Sequence, residues 1–241
     1  MSTVAGIRVC ERKRQPVTTT RIKGAAARSH VSTHIRDALR GGHLVPGQRL
    51  VVQDLADELG VTRSSVREAL VDLASDELVE IVRNRGARVR MISIEEAIQI
   101  TECRSALERV CARRAAAHAS EAQRAELAEV GVQLRAAVAE NSPETYSTLN
   151  RRLHDLIIDF SGQAVAKRQL ERLHTQMVRF QFRLALRPGR PQQSLPQLLA
   201  IIDAVVAGDA DAAEAATEAQ LADVIDELRA TGAAYSVESV R

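Results

Sequence analysis

From Ser93 onward the chain restarts a helix again and again. Ser93 with Glu96, and Ser120 with Gln123, have capping-box spacing: a hydroxyl takes a backbone N–H three residues on, and the Glu or Gln returns the bond. Ser142-Pro143 places proline in a first turn, where its missing N–H costs nothing, and Gly208-Asp209 ends one helix and caps the next. These signals predict six helices, at about 94–118, 121–140, 143–160, 163–187, 195–207 and 210–231, with Arg187-Pro188-Gly189-Arg190-Pro191 as the clearest break. No repeat of fixed period accompanies them, which favours an antiparallel bundle over a solenoid. Aromatic residues are 2% of the 241-residue chain and Trp is absent, so the cores must be built from Leu, Ile, Val and Ala, the material of helix packing.

The segment before Ser93 is patterned differently. From Ser29, Val31, Ile35, Ala38 and Leu39 share one helical face until Gly41-Gly42 ends the run. A second helix is expected from about Val52 to Leu59, closed by Gly60. A third begins after Thr62, with Val66, Leu70 and Leu73 as its buried stripe, and runs out near Asp76. Leu78 to Met91 then alternates around Asn84-Arg85-Gly86, the pattern of a β-hairpin. Two helices about a tight turn followed by a hairpin make a winged helix-turn-helix. The expected fold is therefore mainly α: a winged helix-turn-helix with a small β-hairpin wing at 28–92, then an all-α six-helix antiparallel bundle at 93–235. Residues 1–27 mix Arg8, Arg12, Lys13, Arg14, Arg21 and Lys23 with Thr, Gly and Pro16 and show no apolar period. They read as a basic, disordered arm, either touching phosphates or a leader without that role.

Charge divides along the same line. Residues 1–92 carry 16 Lys and Arg against 10 Asp and Glu, and residues 93–241 carry 17 against 21, so the basic excess lies in the N-terminal part of the chain. In such a motif the second helix enters the major groove N-terminus first. Here that end is Thr62-Arg63-Ser64-Ser65-Val66-Arg67. Arg63 and Arg67 are four apart and share a side of the helix; a guanidinium can grip guanine O6 and N7 with two bonds, and small hydroxyls suit phosphates. Arg67 has a structural alternative, an ion pair with Asp54 or near Glu68. Arginines 83, 85, 88 and 90 are expected to crowd the hairpin tip, and a nearby anion explains that crowding.

Several classes fall away. No glycine fingerprint follows a strand, and no His pair or Ser, His and Asp set marks an enzyme. No apolar run approaches the roughly 18 residues of a membrane span. Cys10, Cys103 and Cys111 lack metal-type spacing; Cys103 and Cys111 read as small buried side chains on one helix, in a reduced, cytoplasmic setting. A helical protein–protein adaptor stays as the alternative function.

The residues also resemble a known family. Pro46-Gly47, Leu55-Ala56, Leu59-Gly60-Val61-Thr62-Arg63, Val66-Arg67-Glu68-Ala69-Leu70, Leu73, Leu78-Val79 and Asn84-Arg85-Gly86-Ala87 are similar to the GntR family of bacterial regulators. The helical remainder resembles the FCD ligand-binding domain of its FadR subfamily, through Arg104 to Glu108, Leu153-His154 and Ile202 to Asp209. The resemblance implies a transcription regulator, with repression the expected sign, that binds a palindromic double-stranded operator as a homodimer. It implies DNA contacts from Thr62, Arg63, Ser64, Ser65 and Arg67, with Arg85 and Gly86 of the wing in the minor groove. Gln53 stands where fatty-acid-responsive members have a DNA-contacting Arg, so the operator of those members does not transfer.

Many members of the subfamily hold a metal with an Asp, a His four residues on, and two further His. The corresponding positions here are Asn150, His154, Leu198 and Gln220, of which only His154 keeps a metal-binding side chain. Leu198 has no lone pair and amides are poor ligands for zinc-like ions, so neither metal nor cofactor is expected. Two readings stay open: a small-molecule effector held by Asn150, His154, Leu198 and Gln220, with Arg104 facing a carboxylate or acyl metabolite, or a satisfied polar cluster in a bundle that has lost its sensing.

Overall fold

The computed structural model describes residues 24–82, 86–185, 187 and 189–238. Helix α1, Gly24–Arg40, puts Ala27, Val31, Ile35 and Leu39 on one buried stripe. It starts five residues before the Ser29 expected, because Ala25 to Ala27 are strong helix formers and Ala27 is fully buried. The residues of the expected arm from Gly24 on are thus helical, and the arm up to residue 23 lies outside the described residues. Strand β1, Arg49–Leu50, leads into α2, Val52–Glu58, and a tight turn through Gly60 (φ +63°) leads into α3, Arg63–Ser75. Val66, Leu70 and Leu73 of α3 pack into a core with Leu55, Val61, Val79 and Val89. Each such Leu contributes on the order of 2–5 kcal/mol relative to Ala.

Strands β2, Val79–Val82, and β3, Gly86–Val89, form the expected hairpin, and β1 adds to its free side. The sheet order is β1-β3-β2, all antiparallel, with Arg49 opposite Arg88 and Glu80 also opposite Arg88. A two-residue strand is too short to produce an alternation, and no sequence signal marked β1.

The remainder is the bundle: α4 Ile94–His118, α5 Glu121–Ala139, α6 Pro143–Phe160, α7 Ala164–Ala185, α8 Arg190–Ala207 and α9 Ala210–Glu238. Of the two expected capping boxes, Ser120 and Gln123 make the complete reciprocal one, whereas at Ser93 only the hydroxyl half forms, accepting the Glu96 N–H, and the Glu96 carboxylate turns to Arg90. Helix α8 starts at Arg190, earlier than the expected 195, since Gly189 takes φ +79° and Pro191 sits in the first turn where proline is tolerated. Helix α9 runs past the expected end near 231. Helix α4 is the central member, packed on α6, α7, α8 and α9. The bundle core of Leu127, Leu134, Leu153, Leu170, Leu198 and Ile201 is aliphatic, and its buried Tyr146 bonds Ser194 at 2.6 Å. Cys111 is buried as expected, whereas Cys103 turns outward and is exposed. Among the described residues no helix is long and apolar enough to cross a membrane.

Candidate nucleic-acid interface and buried polar cluster

The outward end of α3 is set by its cap. Thr62 is extended (φ −83°, ψ 151°), and its Oγ1 accepts the Ser65 N–H at 3.2 Å while the two hydroxyls lie 2.9 Å apart. This satisfies one orphan donor and leaves the partial positive charge of the helix end facing outward. It also corrects the expectation for Ser65: the side chain is 3% exposed and turned to Thr62, so Ser65 positions the helix start and offers no free hydroxyl to DNA. Ser64 is exposed and donates to Glu68 at 3.0 Å.

Arg63 and Arg67 are both exposed, and among the described residues no carboxylate pairs with either. The alternative of Arg67 bracing the helix pair through Asp54 is therefore not realised. Together with Gln53 of α2 and Gly86 of β3 they line a groove of about 770 Å³. Arg49, which the sequence reading missed, lines the same groove from β1. Gln53 donates to the Asp57 carboxylate and keeps its Oε1 buried without a partner. Gly86 adopts φ +87°, and a Cβ there would lie 2.9 Å from the Leu50 carbonyl oxygen, so only glycine lets β3 run against β1 at the groove edge.

The wing arginines divide. Arg88 donates to Glu80 at 2.7 Å across the strands, and Arg90 pairs with Glu96 at 2.6 Å and Glu77 at 3.5 Å. These two have carboxylate partners and need no external anion, contrary to the expectation for all four. Arg83 and Arg85 lie outside the described residues.

In the bundle, Arg104 is 3% exposed and paired within its own helix: Nε and Nη2 both meet Glu108 Oε1 at 2.9 Å. That corrects its expected role as a receptor for a ligand carboxylate, since its charge is already compensated one turn along α4. Glu108 also receives His154 of α6, Nδ1 3.0 Å from Oε2, and His174 of α7, Nε2 2.9 Å from Oε1. Burial is the largest influence on Glu108 and would raise its pKa. Arg104 and His154, with hydrogen bonds from both histidines, overcome it and hold the carboxyl well below its usual range. Burial first, then the Arg104 charge, push His174 below its usual value despite the Glu108 contact.

Of the other expected pocket residues, Leu198 is fully buried in the bundle core, while the amide oxygens of Asn150 and Gln220 are buried without a hydrogen-bond partner. Glu108 and His174 were not singled out in advance. The spacing of Arg104 and Glu108, four apart on one helix, was a usable sign of a pair; nothing local marked His174. Among the described residues no group of three or more His, Cys, Asp and Glu is placed to hold a metal ion.

Residues 27–89 match the family described as bacterial regulatory proteins, gntR family, and residues 99–223 match the FCD domain. The chain is 28% identical over 186 residues to the HTH-type transcriptional repressor RspR of Escherichia coli, covering 77% of this chain and 82% of that protein. It is 26% identical over 159 residues to the HTH-type transcriptional regulator McbR of Escherichia coli, 66% of this chain and 72% of that one. Among solved structures, E. coli McbR/YncC shares the fold with TM-score 0.74 at 22% identity, over 86% of this chain and 99% of that one. A GntR-type regulator from Rhodococcus sp. RHA1 does so with TM-score 0.69 at 24% identity, over 86% and 99%.

Proposed function

Because the chain belongs to the gntR family of bacterial regulatory proteins and carries an FCD domain, it is a DNA-binding transcription regulator, and we propose that it represses from a palindromic operator as an effector-responsive homodimer. In this account residues 28–92 bind DNA and residues 93–235 dimerise and sense the effector. The observation that carries the DNA contact is the exposed pair Arg63 and Arg67, without carboxylate partners, at the capped end of α3 beside the glycine edge of the wing. An adaptor surface would leave those charges unexplained; a polyanion meets them. Arg63, Arg67 and Ser64 face the major groove, with Gln53 and Arg49 at its sides and Gly86 toward the minor groove. Thr62 and Ser65 hold the helix start in place. Repression is the sign carried by the name of RspR, a relative.

The effector of this proposal enters beside His154 and meets the unpartnered oxygens of Asn150 and Gln220, with Leu198 as an apolar wall. It is a molecule with hydrogen-bond donors; the carboxylate expected earlier loses its anchor because Arg104 is held by Glu108. Titration of a promoter-length duplex with the full chain tests the DNA half: affinity should fall steeply as salt rises, and light scattering of the complex should give two chains per duplex. A thermal-shift screen of small polar metabolites tests the sensing half, with Asn150→Ala and Gln220→Ala expected to abolish any shift.

A further inference from the structure

Helix α7 touches both ends of the regulatory problem. His174 lies in its middle and meets Glu108 of α4 at 2.9 Å, inside the buried cluster. Two residues to either side, Arg172 and Gln176 reach out of the bundle to the end of α3. Arg172 Nη2 donates to the Ser75 carbonyl at 3.1 Å and to Asp76 Oδ1 at 3.0 Å, and Gln176 Nε2 donates to the Asp76 carbonyl at 3.1 Å. The geometry follows from the helical repeat. Arg172 and Gln176 are four apart and share a face, whereas a residue two away from each is rotated by roughly 200° and points the other way. Helix α7 is therefore a single rod, about 10–12 Å across with its side chains, clamped between Glu108 and the C-terminal end of the DNA-reading helix.

The contact at α3 is suited to transmit displacement. Asp76 is the C-cap of α3, where the last carbonyls have no partner within the helix. Arg172 and Gln176 supply donors to those carbonyls, and the Arg172 charge complements the negative helix end. The Asp76 carboxylate also receives Arg36 of α1, so α1, α3 and α7 meet on one residue. On the bundle side, α7 is seated by Met177, fully buried with Ala97 and Ile98 of α4 and Leu228 of α9. A close-packed helix shifts as a body when one face is pushed, because its neighbours leave no slack.

We propose that α7 couples the Glu108 cluster to α3: a change at Glu108 or His174 repositions α7, and Arg172 and Gln176 carry that movement to the C-terminal end of the DNA-reading helix. As a route for an effector this rests on the sensing role proposed above for His154, Asn150 and Gln220, which reaches Glu108 through His154, but the mechanical link is a property of the fold. Arg172 and Gln176 are positioning residues, acting on DNA only through α3. A competing route runs along α4 itself, whose first turn is tied to the end of the wing through Glu96 and Arg90 at 2.6 Å.

The test replaces an unidentified effector with a built-in perturbation. His174→Gln and, separately, Glu108→Gln are made in the full chain, alone and combined with Arg172→Ala/Gln176→Ala or with Glu96→Gln. Two quantities are read: affinity for a duplex selected by the wild-type chain from a random pool, and hydrogen–deuterium exchange at residues 73–77. The expected result is a cluster substitution that changes affinity about three- to tenfold and speeds exchange at 73–77. Both changes should shrink to less than about twofold in the Arg172→Ala/Gln176→Ala background and persist with Glu96→Gln. His174 is partly exposed, so His174→Gln keeps the test alive should Glu108→Gln fail to fold. Equal effects in both backgrounds, no effect at all, or loss of coupling with Glu96→Gln alone would overturn the proposal. Coupling by substitution together with a polar-metabolite screen that finds no binder would leave the α7 link standing and remove the sensing role.

Discussion

At Thr62 one hydroxyl decides how α3 begins. Its bond to the Ser65 N–H is a helix cap, so Thr62→Ala should cost about 0.5–2 kcal/mol of stability, readable as a lower urea midpoint with an unchanged slope. A midpoint equal to wild type would show that the cap contributes nothing. Arg63 is exposed without a carboxylate partner, and its replacement should touch recognition rather than folding. Arg63→Ala is expected to cost about 1–3 kcal/mol on the preferred duplex and to relax one base position, as measured by competition among single-base variants. Equal losses on every duplex would make Arg63 a phosphate clamp instead. Residue identity foretold these exposed side chains well. It failed where a neighbour only three or four residues away takes the group: Ser65 looked like a free hydroxyl until Thr62 was seen to claim it, and Arg104 looked open until Glu108 was seen to pair with its guanidinium.

At the scale of elements, local signals carry as far as the physics behind them is local. The capping box at Ser120 and Gln123, the glycine stops and the apolar stripe of α3 all act within a few residues, and those helices fall close to where the pattern places them. Strand β1 is held by β3 and by nothing in its own two residues, and the start of α8 depends on Gly189 at φ +79° more than on Pro191 or Pro196. The wing makes a sharp prediction. With φ +87° and the Leu50 carbonyl oxygen 2.9 Å from a would-be Cβ, Gly86→Ala should displace β3 from β1. Amide exchange at Leu50 and Ala87 should then rise while the bundle amides stay protected. Unchanged exchange at both positions would contradict the close approach.

The whole molecule joins a DNA-reading unit to an acidic helical bundle through α7 and through the junction of β3 with α4. The buried cluster also gives its stability a pH dependence of definite sign. The His174 pKa is lowered on folding, so the unfolded chain takes the proton first as pH falls. Its stabilisation is complete above its usual value of 6.5 and is lost as pH drops through the folded value. Glu108, also depressed, adds a second loss beginning below its usual 4.5. Thermal midpoints should therefore begin to decline just below neutrality, and His174→Gln should remove the upper part of that decline while leaving the lower one. An identical profile in the variant would contradict it. The cluster and its pH response were not legible beforehand, because His154 and His174 reach Glu108 from helices distant in sequence.

The central claim is that the capped end of α3 binds DNA through Arg63 and Arg67. It is tested most directly by fluorescence anisotropy of a labelled promoter-length duplex with the full chain, wild type and Arg63→Ala/Arg67→Ala, between about 50 and 200 mM salt. The account predicts tight, steeply salt-dependent binding by wild type, and for the double variant a large loss of affinity with a shallower salt slope. Negligible wild-type binding at low salt, or a double variant that binds with the same affinity and slope, would contradict it.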